Sequence, residues 1–192
     1  DEVQLTEKQR ARLVNAGVLG EACYDTAYPL NGVQRPVQRL VIVRDLKTVN
    51  GPKADRMGLR HARCMFEDLQ LALYARAWEQ THPNDRVIGV GASEIGEQTV
   101  HYVELDEALD EIADELHVGQ LTQHLRLHFP TSDPDEPGQT SFRRWMEERL
   151  RTAQRAITAF GDGQVNPTPG RHCNHCAVRD GCDVATLGGD AR

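Results

Sequence analysis

Lysine is nearly absent from this chain. Of its 22 Lys and Arg residues, only Lys8, Lys47 and Lys53 are lysines. Arginine serves almost everywhere else, so Lys47 is an exception to a habit. A compact ammonium that can shift its pKa is not interchangeable with a guanidinium. Long apolar runs are lacking too. None approaches the ~20 residues that a membrane span needs. There is no internal repeat, and no signal peptide is visible. The first residue is Asp1 rather than Met, so the chain is expected to be cut from something larger. Positive charge is also in deficit. At a net charge of −7, the surface as a whole repels nucleic acid, and any such contact has to be local.

What is present suits a globular domain. The chain has 192 residues, 39% hydrophobic and 27% charged. That predicts one domain of ordinary size with a small appendage. The domain is expected over residues 1–165, a cysteine-rich segment over 166–186, and a disordered tail over 187–192. Cysteines stand at 23, 64, 173, 176 and 182. The number is odd and the last three are crowded. A disulfide framework would use an even, spread set. Clustered thiols in an intracellular, cytoplasmic protein point instead to a metal or cluster site.

Local pattern predicts the elements. Thr6-Glu7-Lys8-Gln9 has the form of a capping box and opens a short helix that stops near Gly17. Residues 18–25 read as a strand ending at Asp25, and Pro29 to Pro36 as a loop. Val37 to Lys47 reads as a buried strand. A helix is expected from Leu59 to Glu79, with Leu59, Ala62, Phe66, Leu69, Leu73 and Ala77 forming an apolar stripe. Gln70 and Tyr74 lie four apart on its flank and share a face. Val87–Ala92 and Thr99–Leu105 read as a hairpin turning around Gly96. Asp106 is expected to cap a helix reaching Leu116, and residues 119–128 to form another. Residues 131–138 read as a loop. A long helix is expected over 141–160, with Phe142, Trp145, Met146, Leu150, Ala153, Ile157 and Phe160 on one side. Its Arg143, Arg144, Arg149, Arg151 and Arg155 could track phosphates. Interleaved with Glu147 and Glu148, they read better as a solvated face.

Two stretches carry chemistry. Leu40-Val41-Ile42-Val43 runs into Arg44-Asp45-Leu46-Lys47-Thr48. Residues i and i+2 of a strand share a face, so Asp45 and Lys47 point the same way. A carboxylate and an amine there can hold a divalent metal and a developing anion together. The plainer reading is a strand leaving the core. The second stretch is Cys173-Asn-His-Cys176-Ala-Val-Arg-Asp-Gly-Cys182. Its thiolates suit an iron–sulfur cluster or zinc. A fourth ligand is needed. Cys23 and Cys64 are available, as are His172 and His175 for zinc, and a cysteine outside the chain is a further option.

Asp45-Leu-Lys47 on a strand, Gln70-Leu-Ala-Leu-Tyr74 on a helix and a terminal C-x2-C-x5-C come in a specific order. That order resembles the PD-(D/E)XK nuclease superfamily, in its RecB-like branch, and is most similar to the iron–sulfur subset with AddB-type nuclease domains. The resemblance covers about residues 19–105 and 170–184. It implies an α/β fold: a restriction-endonuclease-like mixed sheet core flanked by helices, with a C-terminal cysteine-rich segment. It implies that Asp45 is a metal-binding acid and that Lys47 is the catalytic lysine. Lys47 would position the attacking water or stabilise the pentavalent phosphate. Gln70 and Tyr74 match the helix motif beside the active site. Cys173, Cys176 and Cys182 match the last three ligands of a [4Fe–4S] cluster. The family places another acid on the preceding strand, for which Asp25 is the candidate and Glu21 the reserve. Asp25 also reads as a turn residue before Pro29.

The resemblance therefore implies a Mg²⁺- or Mn²⁺-dependent deoxyribonuclease, exonuclease rather than endonuclease. Its expected substrates are single strands or DNA ends, in repair or recombination beside a helicase. Carboxylate oxygens and water suit such cations, and Tyr74 could stack on a base. The alternatives are an inactive module of the same fold that binds DNA or braces a helicase, and a zinc-stabilised interaction domain.

Overall fold

The computed structural model describes residues 4–25, 33–48, 69–95, 100–109, 112, 123–124, 140–164 and 177. The chain divides into two compact units, residues 1–153 and 154–192. The larger unit is a mixed α/β structure. Its elements are α1 (Glu7–Asn15), β1 (Gly20–Asp25), β2 (Val33–Val37), β3 (Arg39–Thr48), α2 (Gln70–Thr81), β4 (Asp85–Ile95), β5 (Val100–Leu105) and β6 (Gln123–His124). A 3-10 turn spans Glu107–Leu109, and α3 (Ser141–Gly161) follows β6.

The first helix forms where its cap predicts. Gln9 N donates to the Thr6 hydroxyl, and Thr6 N donates to Gln9 Oε1. This reciprocal pair satisfies two amides that have no partner inside the helix. Then β1 and β2 form an antiparallel hairpin that places Asp25 against Val33. Pro36, expected in a loop, lies inside β2. The remaining strands form a mixed sheet in the order β3-β4-β5-β6. The β3–β4 and β5–β6 pairs are parallel, and β4–β5 is antiparallel. The turn expected around Gly96 and the loop over 131–138 lie outside the described residues. So do most of the helix after Asp106 and the first part of the helix expected from Leu59.

Strand β4 is buried on both faces, and a bulge arranges this. Val41 pairs with Val87, but Ile42 pairs with Gly89, so Ile88 is an extra residue on β4. The inserted residue shifts the side-chain alternation by one. Val87, Val90 and Ala92 consequently all face the core beneath α2 and α3. Ile88 joins the opposite core with Leu13, Leu19, Cys23 and Val37. At Gly89 the sheet leaves no room. A Cβ there would lie 2.8 Å from Leu105 Cδ2, 3.2 Å from Glu104 O and 3.3 Å from Ile42 Cγ1.

Four expectations need correction. First, β3 is not buried throughout. Among the described residues it pairs only with β4, and Arg44, Leu46 and Thr48 are exposed. A strand paired on one side carries its last residues beyond the packed helices. Second, residues 123–124 pair with β5 as a strand instead of forming a helix. Third, α2 buries a different face. Leu73 and Ala77 are exposed, while Leu71, Ala72, Ala75, Arg76 and Glu79 are buried. Fourth, Arg143 is fully buried rather than solvated, and Ile157 and Phe160 are 73% and 77% exposed.

One ion-pair network accounts for the buried face of α2 and for the burial of Arg143. Glu79 Oε1 accepts from Arg143 Nη1 at 2.7 Å and from Val87 N at 2.8 Å. Its Oε2 accepts from Arg143 Nη2 at 3.2 Å and from Arg76 Nη1 at 3.1 Å. Arg35 Nη2 stands 3.6 Å from Oε1. Charged groups are buried when they pair and hydrogen-bond together. Three arginines on β2, α2 and α3 converge on one carboxylate, so charge as well as apolar area decides which way α2 faces. The N-terminus of α3 is held separately. The Thr140 hydroxyl donates to buried Asp106, and the amides of Ser141 and Phe142 donate to the Glu107 carboxylate. Burial raises the Asp106 pKa against the nearby Arg86 charge.

Candidate nuclease active site

The end of β3 and the start of α2 meet around Lys47. Asp45 and Lys47 share a strand face as the two-residue period requires. Lys47 Nζ lies 2.6 Å from Asp45 Oδ2. The same ammonium donates to Gln70 Oε1 at 3.1 Å. Gln70 Nε2 then donates to the Tyr74 hydroxyl at 2.8 Å, one helical turn along. Asp45, Lys47, Gln70 and Tyr74 thus form one continuous polar chain across two elements. The side chains of Asp45 and Lys47 are 16% and 34% exposed, so the aspartate is the more sheltered member of the pair.

The fold explains this meeting. Val43, two residues before Asp45, packs against the core that buries Leu71, Ala72 and Ala75 of α2. Apolar contact therefore fixes the helix over the strand. The polar residues at the strand end meet the first turn of α2. Register sets Lys47 beside Glu94 of β4, an acid that no short motif in the sequence singles out.

The other expected site residues are distributed as follows. Asp25 closes β1, and Glu21 lies exposed earlier on that strand. Cys64, His172, Cys173, His175, Cys176 and Cys182 lie outside the described residues. Cys23 is buried, and its Sγ contacts Gly20 O at 3.6 Å. Burial pushes its thiol pKa up, against the lowering charges of Arg86 and Arg35. Among the described residues, no group of at least three His, Cys, Asp or Glu side chains is arranged to hold a metal ion. No described helix is long and apolar enough to cross a membrane.

A further group was not singled out by the sequence pattern. Trp78, one turn beyond Tyr74, stacks on His82 with ring centroids 4.0 Å apart and planes inclined by 12°. Its Nε1 donates to Asp85 Oδ2 at 2.9 Å. Arg39 holds the same carboxylate through Nε and Nη2, at 2.9 and 2.7 Å. Burial raises the Asp85 pKa, but the hydrogen bonds from Arg39 and Trp78 and the charge of Arg39 together outweigh it, and the net shift is downward. The spacing Gln70, Tyr74, Trp78 was readable in the sequence. The exposed apolar face that it belongs to was not.

A mixed sheet with helices, carrying an acid-x-lysine pair at the end of a strand, is the frame of a restriction-endonuclease-like nuclease fold. A family model described as the PD-(D/E)XK nuclease superfamily matches residues 33–183. The chain belongs to that superfamily, whose members are generally nucleases. The matched span contains Asp45, Lys47, Gln70 and Tyr74, and the three clustered cysteines. Asp25 precedes it. No curated protein and no solved structure matches the chain significantly.

Proposed function

We propose that the chain is a divalent-metal-dependent deoxyribonuclease of the RecB-like branch, with its site at Asp45, Lys47, Gln70 and Tyr74. The polar chain from Asp45 to Tyr74 carries this reading. Members of the superfamily typically use Mg²⁺ or Mn²⁺. The Asp45 carboxylate supplies a hard oxygen donor of the kind these ions prefer, and Asp25 is the second acid. The bound cation would polarise the phosphodiester and acidify a water.

The chain's own residues have distinct tasks. Asp45 holds the Lys47 ammonium at the strand end. Gln70 accepts a hydrogen bond from it, which fixes the direction of a flexible four-carbon stem. Lys47 has three N–H donors, so a further one is available to a phosphate oxygen. A cation aimed at charge that develops during bond breaking stabilises the transition state more than the ground state. Tyr74, 45% exposed, offers a ring for a base and braces Gln70 through its hydroxyl.

The substrates are single strands or DNA ends, the mode is exonucleolytic, and the setting is repair or recombination beside a helicase. Cys173, Cys176 and Cys182 hold a [4Fe–4S] cluster, with zinc as the alternative. Ligation requires thiolates. Cys23, Cys64 or a cysteine outside the chain supplies the fourth ligand, and of these Cys23 is packed in the core.

The test is cleavage of labelled single-stranded DNA with Mn²⁺ by wild type and Lys47→Ala. Equal activity in both removes the assigned site. A second reading is a non-catalytic module of the same fold that binds DNA. It predicts no cleavage with any metal.

A further inference from the structure

The exposed face of α2 is an unusual surface among the described residues. Gln70, Tyr74 and Trp78 recur every four residues, and Leu73 and Ala77 flank them. Leu73 is 43% exposed, Tyr74 45% and Trp78 37%. A surface helix ordinarily turns such residues inward. Here the buried side is occupied by Leu71, Ala72, Ala75 and the paired Arg76 and Glu79, so the aromatic side faces water. Trp78 is also held in place. His82 covers it as a parallel stack, and Asp85 fixes its Nε1 edge. A packed indole has little rotamer freedom left to lose on binding.

We propose that Trp78, steadied by His82, is a second base-stacking platform, which binds the unpaired strand one step away from the Lys47 site. The proposal rests on the nuclease reading and deepens it by assigning a second contact for the unpaired strand, on a residue outside the site itself. Continuity with the site argues for this occupant. Gln70 touches Lys47, Tyr74 touches Gln70, and Trp78 follows one turn on. Residues four apart rise ~6 Å along a helix. That exceeds the ~3.4 Å per nucleotide of a stacked duplex strand and suits an extended single strand. Aromatic faces take any base, so the platform would act without sequence preference. On a net charge of −7, stacking supplies affinity that phosphate attraction over the whole surface cannot.

The experiment is binding of a fluorescent oligothymidylate in EDTA, where no cleavage occurs, by wild type, Trp78→Phe and Trp78→Leu. Phe keeps a ring and loses the bond to Asp85; Leu keeps apolar bulk and loses the ring. The expected result is a Kd close to wild type for Phe and about tenfold weaker or more for Leu, the scale of one lost base stack. A blunt duplex should not separate Leu from Phe. Equal single-strand Kd values for Leu and wild type overturn the platform. So does an equal loss on duplex, which would mark a structural effect. Absence of any single-strand binding by wild type overturns it as well. If Trp78→Leu instead changes a self-associated state in sedimentation, with DNA binding intact, the face joins copies of the chain and the proposal fails. Cleavage by wild type, read separately with Mn²⁺, tells failure of the platform from failure of the nuclease reading.

Discussion

Lys47 Nζ stands between Asp45 Oδ2, at 2.6 Å, and Gln70 Oε1, at 3.1 Å. One partner lies two residues back on the same strand, and the other lies on a different element. The ammonium is therefore oriented by tertiary structure, and loss of Gln70 should loosen it without removing it. Gln70→Ala is expected to lower kcat about 10- to 100-fold, the cost of a misplaced catalytic group. Lys47→Ala should lower it further. Lys47→Arg should not restore activity, because a planar fork does not replace a point charge. Single-turnover cleavage of labelled DNA checks all three.

Glu79 is the next place to intervene. Its carboxylate neutralises part of the charge of Arg35, Arg76 and Arg143 inside the core. Glu79→Ala removes the carboxylate that these guanidinium groups share in the core and should cost about 3–5 kcal/mol. Urea denaturation at neutral pH reads this, and a loss under about 1 kcal/mol, the scale of an exposed pair, would mean that the network is not stabilising α2 against α3.

Gly89 separates β3 from β5 where Ile42 and Leu105 close in. The Leu105 methyl can move; the Glu104 carbonyl, part of the ladder, cannot move freely. Gly89→Ala should cost about 1–3 kcal/mol and Gly89→Val more. A thermal melt that places Gly89→Val level with wild type would contradict the close approach.

Acid should expose the Asp85 contacts. Its folded-state pKa is held below the ordinary aspartate value, so the folded state binds this proton less readily than the unfolded one. The group stabilises the fold above the unfolded pKa, and the contribution disappears as pH falls through the depressed folded value. The stability advantage of wild type over Asp85→Asn should hold from neutral pH down to about the ordinary carboxylate range and shrink below it. An advantage that instead grows as pH falls would give the opposite sign. Trp78 fluorescence, whose indole donates to this carboxylate, should change over the same range.

Cluster assembly is the remaining test. Cys176→Ser should abolish the brown iron–sulfur absorbance in protein purified without oxygen, and lower its stability. Iron and sulfide in the wild type support the cluster, while zinc alone supports the alternative. Cys23, buried and with its thiol pKa pushed up by that burial, should resist alkylation until the protein unfolds.

Local rules made much of this fold legible. The Thr6 capping box, the helix from Ser141, the β4–β5 hairpin and the strand bearing Asp45 and Lys47 each follow from a short pattern. Contacts between residues four apart on a helix, or two apart on a strand, depend on geometry that every chain shares. That is why the pairing of Gln70 with Tyr74, and the common face of Asp45 and Lys47, are legible in spacing alone.

The failures have a common cause. Leu73 and Ala77 looked like core residues, and Arg143 looked solvated. Periodicity records how often apolar residues recur, but not which neighbour will cover them. Glu79 and Arg143 are distant in the chain, and their pairing, with Arg76 and Arg35 beside it, makes burial of charge tolerable and helps turn the aromatic side of α2 outward. The Ile88 bulge likewise depends on a partner strand, and so does the approach at Gly89. The sequence by itself determined the acid, the lysine, the glutamine and the tyrosine, and their order. Only the tertiary structure decided that the lysine reaches the glutamine and that Trp78 faces water, because both depend on long-range packing that no local spacing encodes.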